Sequence, residues 1–346
     1  RYFQRAGVPK EDAKITADVL IAADLRGIDS HGIIRLHSYY GAPLQQGCID
    51  PRSPIQVINE TPITALLDGG NGLGPVVAYR SMQRCIEKAN DTNIAFISVR
   101  NSNHYGIAGY YAMMALPYDM IGISVSNSQP LVSPTHGREA ILGTNPIAVA
   151  VPAGKEYPYV LDMATSIVTI GRVALHQKIG NKIPLGWAID KSGQSTTDPA
   201  AVLNGGSLLP LGGSDIMRGY KGYGLALLVD ILAGVLSGAA FGLDVGDPGK
   251  EKRADVGHFF GALKISAFRS KEEFTAAMDR LIQQLKTTSL IPGEERIYIH
   301  GEKEFELAER RRQEGVPLHL SVIRALEDAG RRLGVKFDLP REEVRG

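Results

Sequence analysis

Residues 63–100 read ITALLDGGNGLGPVVAYRSMQRCIEKANDTNIAFISVR. The run divides into strand, glycine loop, helix and strand, the layout of a dinucleotide-binding βαβ unit. The fingerprint of such a unit needs G-x-G-x-x-G, so that backbone can approach a pyrophosphate and helix can pack close on strand. Gly72 and Gly74 are present, but Val77 occupies the third position and Pro75 follows directly. The acidic residue expected after the second strand is replaced by Arg100 and Asn101. The stretch therefore predicts a strand-to-helix turn, and no phosphate cradle.

Outward from it, residues 55–268 alternate short Val/Ile/Ala-rich runs with Gly/Pro/Asn turns and helices, a mixed α/β pattern. Before it, residues 9–27 read as a helix started by Pro9 and stopped by Gly27. Residues 29–47 read as a second helix, capped by Asp29 or Ser30. After it, Ser270 and Glu273 form a capping box for a helix at about 271–288. Residues 302–335 are charged and helical in pattern. Both ends being helical suggests one discontinuous helical domain. Residues 190–215 and 244–256 are rich in Gly, Pro, Ser and Asp and are expected to be loops.

The chain has 346 residues and a net charge of +1, with 22% charged and 44% hydrophobic residues. That length allows two or three domains. No charged field exists to attract nucleic acid or a membrane surface. Residues 223–242 are almost long enough to span a bilayer, but Asp230 sits at their centre; a helix buried on all sides is expected. Two cysteines in no CxxC or zinc spacing exclude a disulfide framework and a zinc site, and point to a reducing, cytoplasmic compartment. No signal-peptide pattern is read. The first residue is Arg rather than Met, so the natural N-terminus is expected upstream.

Several segments carry candidate chemistry. In DSHGIIRLHSYY, His31, Arg35 and Tyr39 are spaced i, i+4, i+8 and would share one helical face. His31 would lie in the first turn, where the dipole favours neutral imidazole. A guanidinium one turn on can grip a carboxylate with two bonds. Together with Ser30 this set suits a small 2-oxo or 2-hydroxy acid; the plainer alternative is a polar surface stripe. His104, in VRNSNHYG, follows a strand and opens a helix, either at a site or as an incidental cap residue. Residues 126–152 form a long polar loop that binds or covers something. Asp162 ends an apolar strand and needs a partner, a histidine or backbone amides. Lys221, beside Tyr220 at a helix start, needs an anion, a phosphate or Asp230. His258 precedes a strand.

These segments together resemble one family, the type 2 malate/L-lactate dehydrogenases, which also includes sulfolactate and ureidoglycolate dehydrogenases and diketogulonate reductase. The resemblance runs in order through ADLRGIDSHGIIRLHSYY, VRNSNHYG, GTNPIAVAVP, VLDMATS, IPLGWAIDKSGQSTTDPAA, LLPLGG, YKGYGLAL and GHFFGALKI, about residues 10–310. It implies an α/β fold of the α+β type: a non-Rossmann, largely antiparallel sheet domain (56–299) beside a helical domain from both ends (1–55 with 300–346). It implies a homodimer or larger assembly and an NAD or NADP cofactor, with NAD slightly favoured. That cofactor would lie against Ser128, Asp162, Met163, Ala164, Thr165, Tyr220, Lys221, His258, Gly301, Glu302 and Lys303. It implies His31 or His104 as the proton donor, with Asp162 assisting. Arg172, Ser195 and Asp255 depart from the residues more usual in the family.

The expected reaction is hydride transfer between a 2-hydroxy acid and its 2-oxo acid, malate first and then lactate. Histidine suits the proton step, since its ordinary pKa is about 6.5. The alternatives are a reductase of a cyclic 2-imino acid, a ureidoglycolate-type dehydrogenase, a ureido-acid hydrolase, or a non-catalytic binding protein on the same fold.

Overall fold

The computed structural model describes residues 1–52, 54–247 and 253–338. Part of the expected 244–256 loop and the end of the expected helical domain, 339–346, lie outside them. The chain begins with α1 (Tyr2–Arg5) and α2 (Lys10–Leu25), the latter entered through Pro9 as expected. The second expected helix does not form. Residues 29–47 divide into a 3₁₀ turn (Asp29–His31), a π-helical turn (Leu36–Gly41) and the short α3 (Ala42–Gln45). The break has a cause in α2. The Asp24 carboxylate accepts the Ile33 N–H at 2.8 Å, and a Cβ on Gly32 would lie 1.7 Å from Asp24 Oδ1. Gly32 takes an extended conformation against this carboxylate and interrupts the helical path.

The edge strand β1 (Gln56–Glu60) pairs antiparallel with β2 (Thr64–Asp68). Then come α4 (Gly74–Thr92) and β3 (Ile94–Ser102), which runs parallel to β2. The opening stretch is thus a βαβ unit in layout. Its glycines serve packing: a Cβ on Gly74 would lie 2.2 Å from the carbonyl oxygens of both Asn103 and His104. Backbone fills the space at the α4 N-terminus where a fingerprint would seat a phosphate.

Next are α5 (Ala108–Met113) and β4 (Met120–Ser126), then a long polar loop, then β5 (Ile147–Val151) and β6 (Tyr159–Met163). The loop after β6 carries α6 (Ile170–Lys178), β7 (Ala188–Ile189), α7 (Pro199–Leu203) and β8 (Ser207–Leu208). β7 and β8 pair, so the expected 190–215 loop is in part a small packed unit. It shares a core of Val132, Leu142, Val173 and Leu208 with the 127–146 loop.

α8 (Tyr220–Asp230) continues into a π-helical turn (Ile231–Val235). This segment was expected to be buried all round, and it is not. Ala226, Val229 and Ala233 face inward, while Leu228 is 48%, Val235 54% and Leu236 57% exposed. Among the described residues no helix is long and apolar enough to cross a membrane.

The strand β9 (Val256–Lys264) enters the middle of the sheet. Among the described residues the order is β1-β2-β3-β9-β4-β5-β6, antiparallel except for β2–β3. The chain ends with α9 (Lys271–Lys286), α10 (Glu302–Glu314) and α11 (Leu320–Arg332). Ser270 caps α9 by accepting the Glu273 N–H, as its spacing predicts. Ala329 and Leu333 pack into the cluster of Tyr2, Phe3, Leu20 and Tyr40, so the two ends of the chain share a core.

Candidate functional site

The site forms where the β3–α5 turn meets the interrupted 29–41 segment. Gly74 lets α4 sit on the backbone of residues 103 and 104. Asn103 fastens that turn by donating Nδ2–H to Gly72 O at 2.9 Å. Asn103 thus bonds away from His104. Its ring stacks on His31, with centroids 5.6 Å apart and planes at 20°. The Tyr39 edge meets it at 4.7 Å, and Tyr40 Oη lies 2.9 Å from Nδ1. The pair lines a cavity of about 320 Å³ together with Ser38, Tyr39, Ser128, Thr144 and Asp247.

The electrostatics keep both imidazoles neutral near pH 7. Burial pushes His31 down to about 4, with the Arg35 guanidinium adding to the effect. Burial, then His31 and Arg35, hold His104 well below the ordinary histidine range. His31 is not in the first turn of an α-helix, so its neutrality comes from burial and Arg35 instead of a helix dipole. Arg35 lies over the Tyr39 ring at 4.5 Å and donates Nε–H to Ser30 O at 2.6 Å. Ser30 Oγ is 2.9 Å from His31 Nδ1.

A second hollow of about 350 Å³ lies between β6 and the turn before α10, lined by Arg26, Asp162, Met163, Gly301 and Lys303 among others. The two hollows have neighbouring walls. Ile28 lines one and His31 the other; Asp162 lines one and accepts the N–H of Gly109, just past Gly106 in the other. Backbone is therefore the partner Asp162 needed. Burial raises its pKa to about 6, against the Gly109 bond and the Arg26 charge.

Other expected residues stand further off. Thr165 is buried and donates to the carbonyls of Thr144 and Asn145, fixing the wall behind Ser128; Ala164 precedes it. Glu302 is buried in ion pairs with Lys286 at 2.6 Å and Arg296 at 3.1 Å, so it anchors α10 and lines neither hollow. Tyr220 and Lys221 start α8 away from both linings. Asp230 bonds Asn127 and Gly242 and is not the anion beside Lys221. His258 is within β9, not before it, and is 0% exposed. Its nitrogens meet Ser126 Oγ at 2.9 Å and Ser102 Oγ at 2.8 Å, and its ring stacks on Tyr105 at 4.6 Å. It lines neither hollow. Asp255 accepts the N–H groups of Asn101 and Ala240, one on each carboxylate oxygen, which the single amide oxygen of an Asn would not reproduce. Sequence reasoning did not single out Tyr40, Arg26, Ser38, Thr144 or Asp247, although Ser38 and Tyr40 lie in its SYY motif and Thr144 in its polar loop.

Among the described residues no cluster of histidine, cysteine, aspartate or glutamate could hold a metal. The donor set instead fits a two-part organic cofactor. Cations Arg26 and Lys303 stand at one hollow and paired neutral imidazoles at the next, with Asp162 between.

Comparison with known proteins agrees with this geometry. The family model for malate/L-lactate dehydrogenase matches residues 1–327. Malate dehydrogenase of Pyrococcus abyssi is 51% identical, over 97% of this chain and 92% of its own. L-sulfolactate dehydrogenase of Methanocaldococcus jannaschii is 42% identical, over 97% of this chain and 94% of its own. The solved structure of malate dehydrogenase from Pyrococcus horikoshii OT3 matches with a TM-score of 0.90 and 48% identity, covering 97% of this chain and 92% of that one. The non-Rossmann, mostly antiparallel sheet and the histidine-walled cavity thus have their place: the chain belongs to the malate/L-lactate dehydrogenase family, nicotinamide-dependent oxidoreductases of small 2-hydroxy acids.

Proposed function

We propose that this chain interconverts malate and oxaloacetate, with NAD ahead of NADP, and that lactate is its second substrate. The observation that carries the reading is the His31–His104 stack on the cavity wall, with Arg35 and Tyr39 beside it. Arg35 is the cation that anchors the substrate carboxylate; Ser30 and Tyr39 hold Arg35 in place. One histidine of the pair carries the proton of the hydroxyl group. Asp162, Met163, Gly301, Lys303 and Ser128 hold the nicotinamide cofactor, which supplies the hydride acceptor when bound. The relatives named malate dehydrogenase support the choice of malate.

The described parts of residues 1–55 and 300–346 act as one helical domain against 56–299, and the cavity lies where they meet. The exposed apolar face of Leu228, Val235 and Leu236 fits a homodimer, since a patch of this kind on a soluble chain marks an interface. A cytoplasmic setting suits two buried free cysteines.

The test is absorbance at 340 nm with NADH or NADPH and oxaloacetate, pyruvate, sulfopyruvate or a cyclic imino acid. Fastest oxidation with oxaloacetate and NADH is expected. Turnover of the imino acid alone would sink the reading.

A further inference from the structure

His104 has a hydrogen-bond environment that decides where its proton sits. Two groups meet Nδ1: the Gly106 N–H at 3.3 Å and Tyr40 Oη at 2.9 Å. No protein partner of Nε2 is found among the described residues, and the ring lines the cavity. The amide can only donate, so acting alone it favours a bare Nδ1 and a proton on Nε2. An Nε2 that already carries a proton cannot take another from a substrate hydroxyl. The phenol differs, because it can donate or accept. When its oxygen accepts Nδ1–H, Nε2 is left bare towards the cavity.

The fold holds Tyr40 Oη against Nδ1. Its ring is fully buried and packs edge-on against Phe3 at 6.4 Å. The π-helical turn brings two consecutive side chains, Tyr39 and Tyr40, onto one imidazole. Such turns recur at functional sites. His31 has no equivalent. Its Nδ1 faces Ser30 Oγ, an exposed hydroxyl open to water.

From this arrangement we infer that Tyr40 is a positioning residue that makes His104 the proton-transfer histidine of the pair. The inference rests on the reading that one of the two histidines carries the proton. In hydroxy-acid oxidation the hydroxyl O–H breaks and its proton joins Nε2. The C2–H bond breaks with its electron pair leaving as hydride to the oxidised nicotinamide, and the C=O bond forms. The resulting imidazolium keeps Nδ1–H on Tyr40 Oη. In reduction, Nε2 returns the proton to the forming alkoxide. The charged or titratable groups around His104 are His31 stacked on it, Arg35 over Tyr39, His258 behind Tyr105, and Asp247 in the cavity lining.

The test is Tyr40→Phe, with Tyr2→Phe as its control. Tyr2 Oη also sits 2.9 Å from a histidine Nδ1, that of His37, away from the cavity. In Tyr40→Phe, kcat for malate oxidation should fall about tenfold to a hundredfold, the value of one hydrogen bond to a charged group, with KM within about twofold. The acid limb of the kcat profile should move to lower pH, because the imidazolium loses its acceptor. A readout without cofactor is the ¹⁵N spectrum of the imidazoles, with His104 identified by its loss in His104→Gln. Wild type should show a ring protonated at Nδ1, and Tyr40→Phe a ring protonated at Nε2. Wild-type kcat, limb and tautomer in Tyr40→Phe would overturn the assignment, as would an equal loss in Tyr2→Phe. Should Tyr40→Phe fail to fold, the wild-type spectrum alone decides: a ring protonated at Nε2 ends the proposal. If His104→Gln keeps full kcat while His31→Gln loses it, the Tyr40 assignment falls and the histidine reading stands. If both keep it, both fall.

Discussion

At the scale of the residue, Gly32 and Asp24 decide where His31 points. A methyl group at 32 would overlap the Asp24 carboxylate, which itself holds the Ile33 amide. Gly32→Ala should therefore cut kcat at least about tenfold and cost about 1–3 kcal/mol of stability by overpacking. Urea unfolding and steady-state kinetics check both. Asp24 also carries a pH signature. Burial raises its pKa from 3.8 to about 6. Between pH 4 and 6 the native state therefore binds more protons than the unfolded state, so this group stabilises the fold at low pH. The contribution is lost as pH rises, on the order of 3 kcal/mol across the window. Asp24→Asn should flatten that part of the stability profile measured by urea midpoints from pH 4 to 7. Asp162, also raised to about 6, adds a slope of the same sign and leaves a residue of it in the variant.

Most of the individual site residues were readable in the chain, and the failures share a cause. His31, Arg35, Tyr39 and His104 lie in short polar motifs and do come together. Tyr40 was hidden because an α-helical reading puts adjacent tyrosines on different faces, and only a π-helical turn aims both at one ring. His258 was set against the cofactor by the family resemblance, whereas in the structure Ser102 and Ser126 meet both of its nitrogens inside the sheet.

At the scale of the element, the strand–helix–strand unit at 64–102 was correctly located and its glycines had a different use. Gly74 admits the carbonyls of Asn103 and His104 onto the first turn of α4. Backbone cannot yield as a flexible side chain can. Gly74→Ala should cost at least about 2 kcal/mol and displace the His104 turn, seen as a fall in both thermal midpoint and kcat. The 29–47 break was not legible, because its cause is a carboxylate on the preceding helix. The outward face of α8 and its π-helical turn was hidden for a related reason: Leu and Val dominate its composition whichever side is covered. If a second copy covers that face, Leu236→Glu should shift the molar mass by light scattering from dimer to monomer.

At the scale of the molecule, the two ends of the chain meet at the site. Arg311 of α10 donates to Asp24 O and pairs with Asp29 at 2.5 Å, so a C-terminal helix braces the segment that carries His31. The Arg311 side chain is mostly buried but Asp29 is 58% exposed, so the ion pair itself is weak and the bond to Asp24 O carries the brace. Arg311→Met should raise KM and loosen the 29–35 segment, detected as faster amide exchange at Ile33, while the sheet exchanges as before. The meeting of the two ends was legible in the charged helical pattern of 302–335; the pairing that brings it to His31 was not, since no local pattern links residues 29 and 311.

The position of β9 adds to this. The strand between β3 and β4 is made of residues 256–264, so the middle of the sheet stays open until they exist. The brace on the His31 segment waits still longer, for residue 311. A ribosome making this chain thus emits both histidines well before the strand and the brace that order their surroundings. A product cut short before residue 256 would hold the histidines over a sheet still split in two.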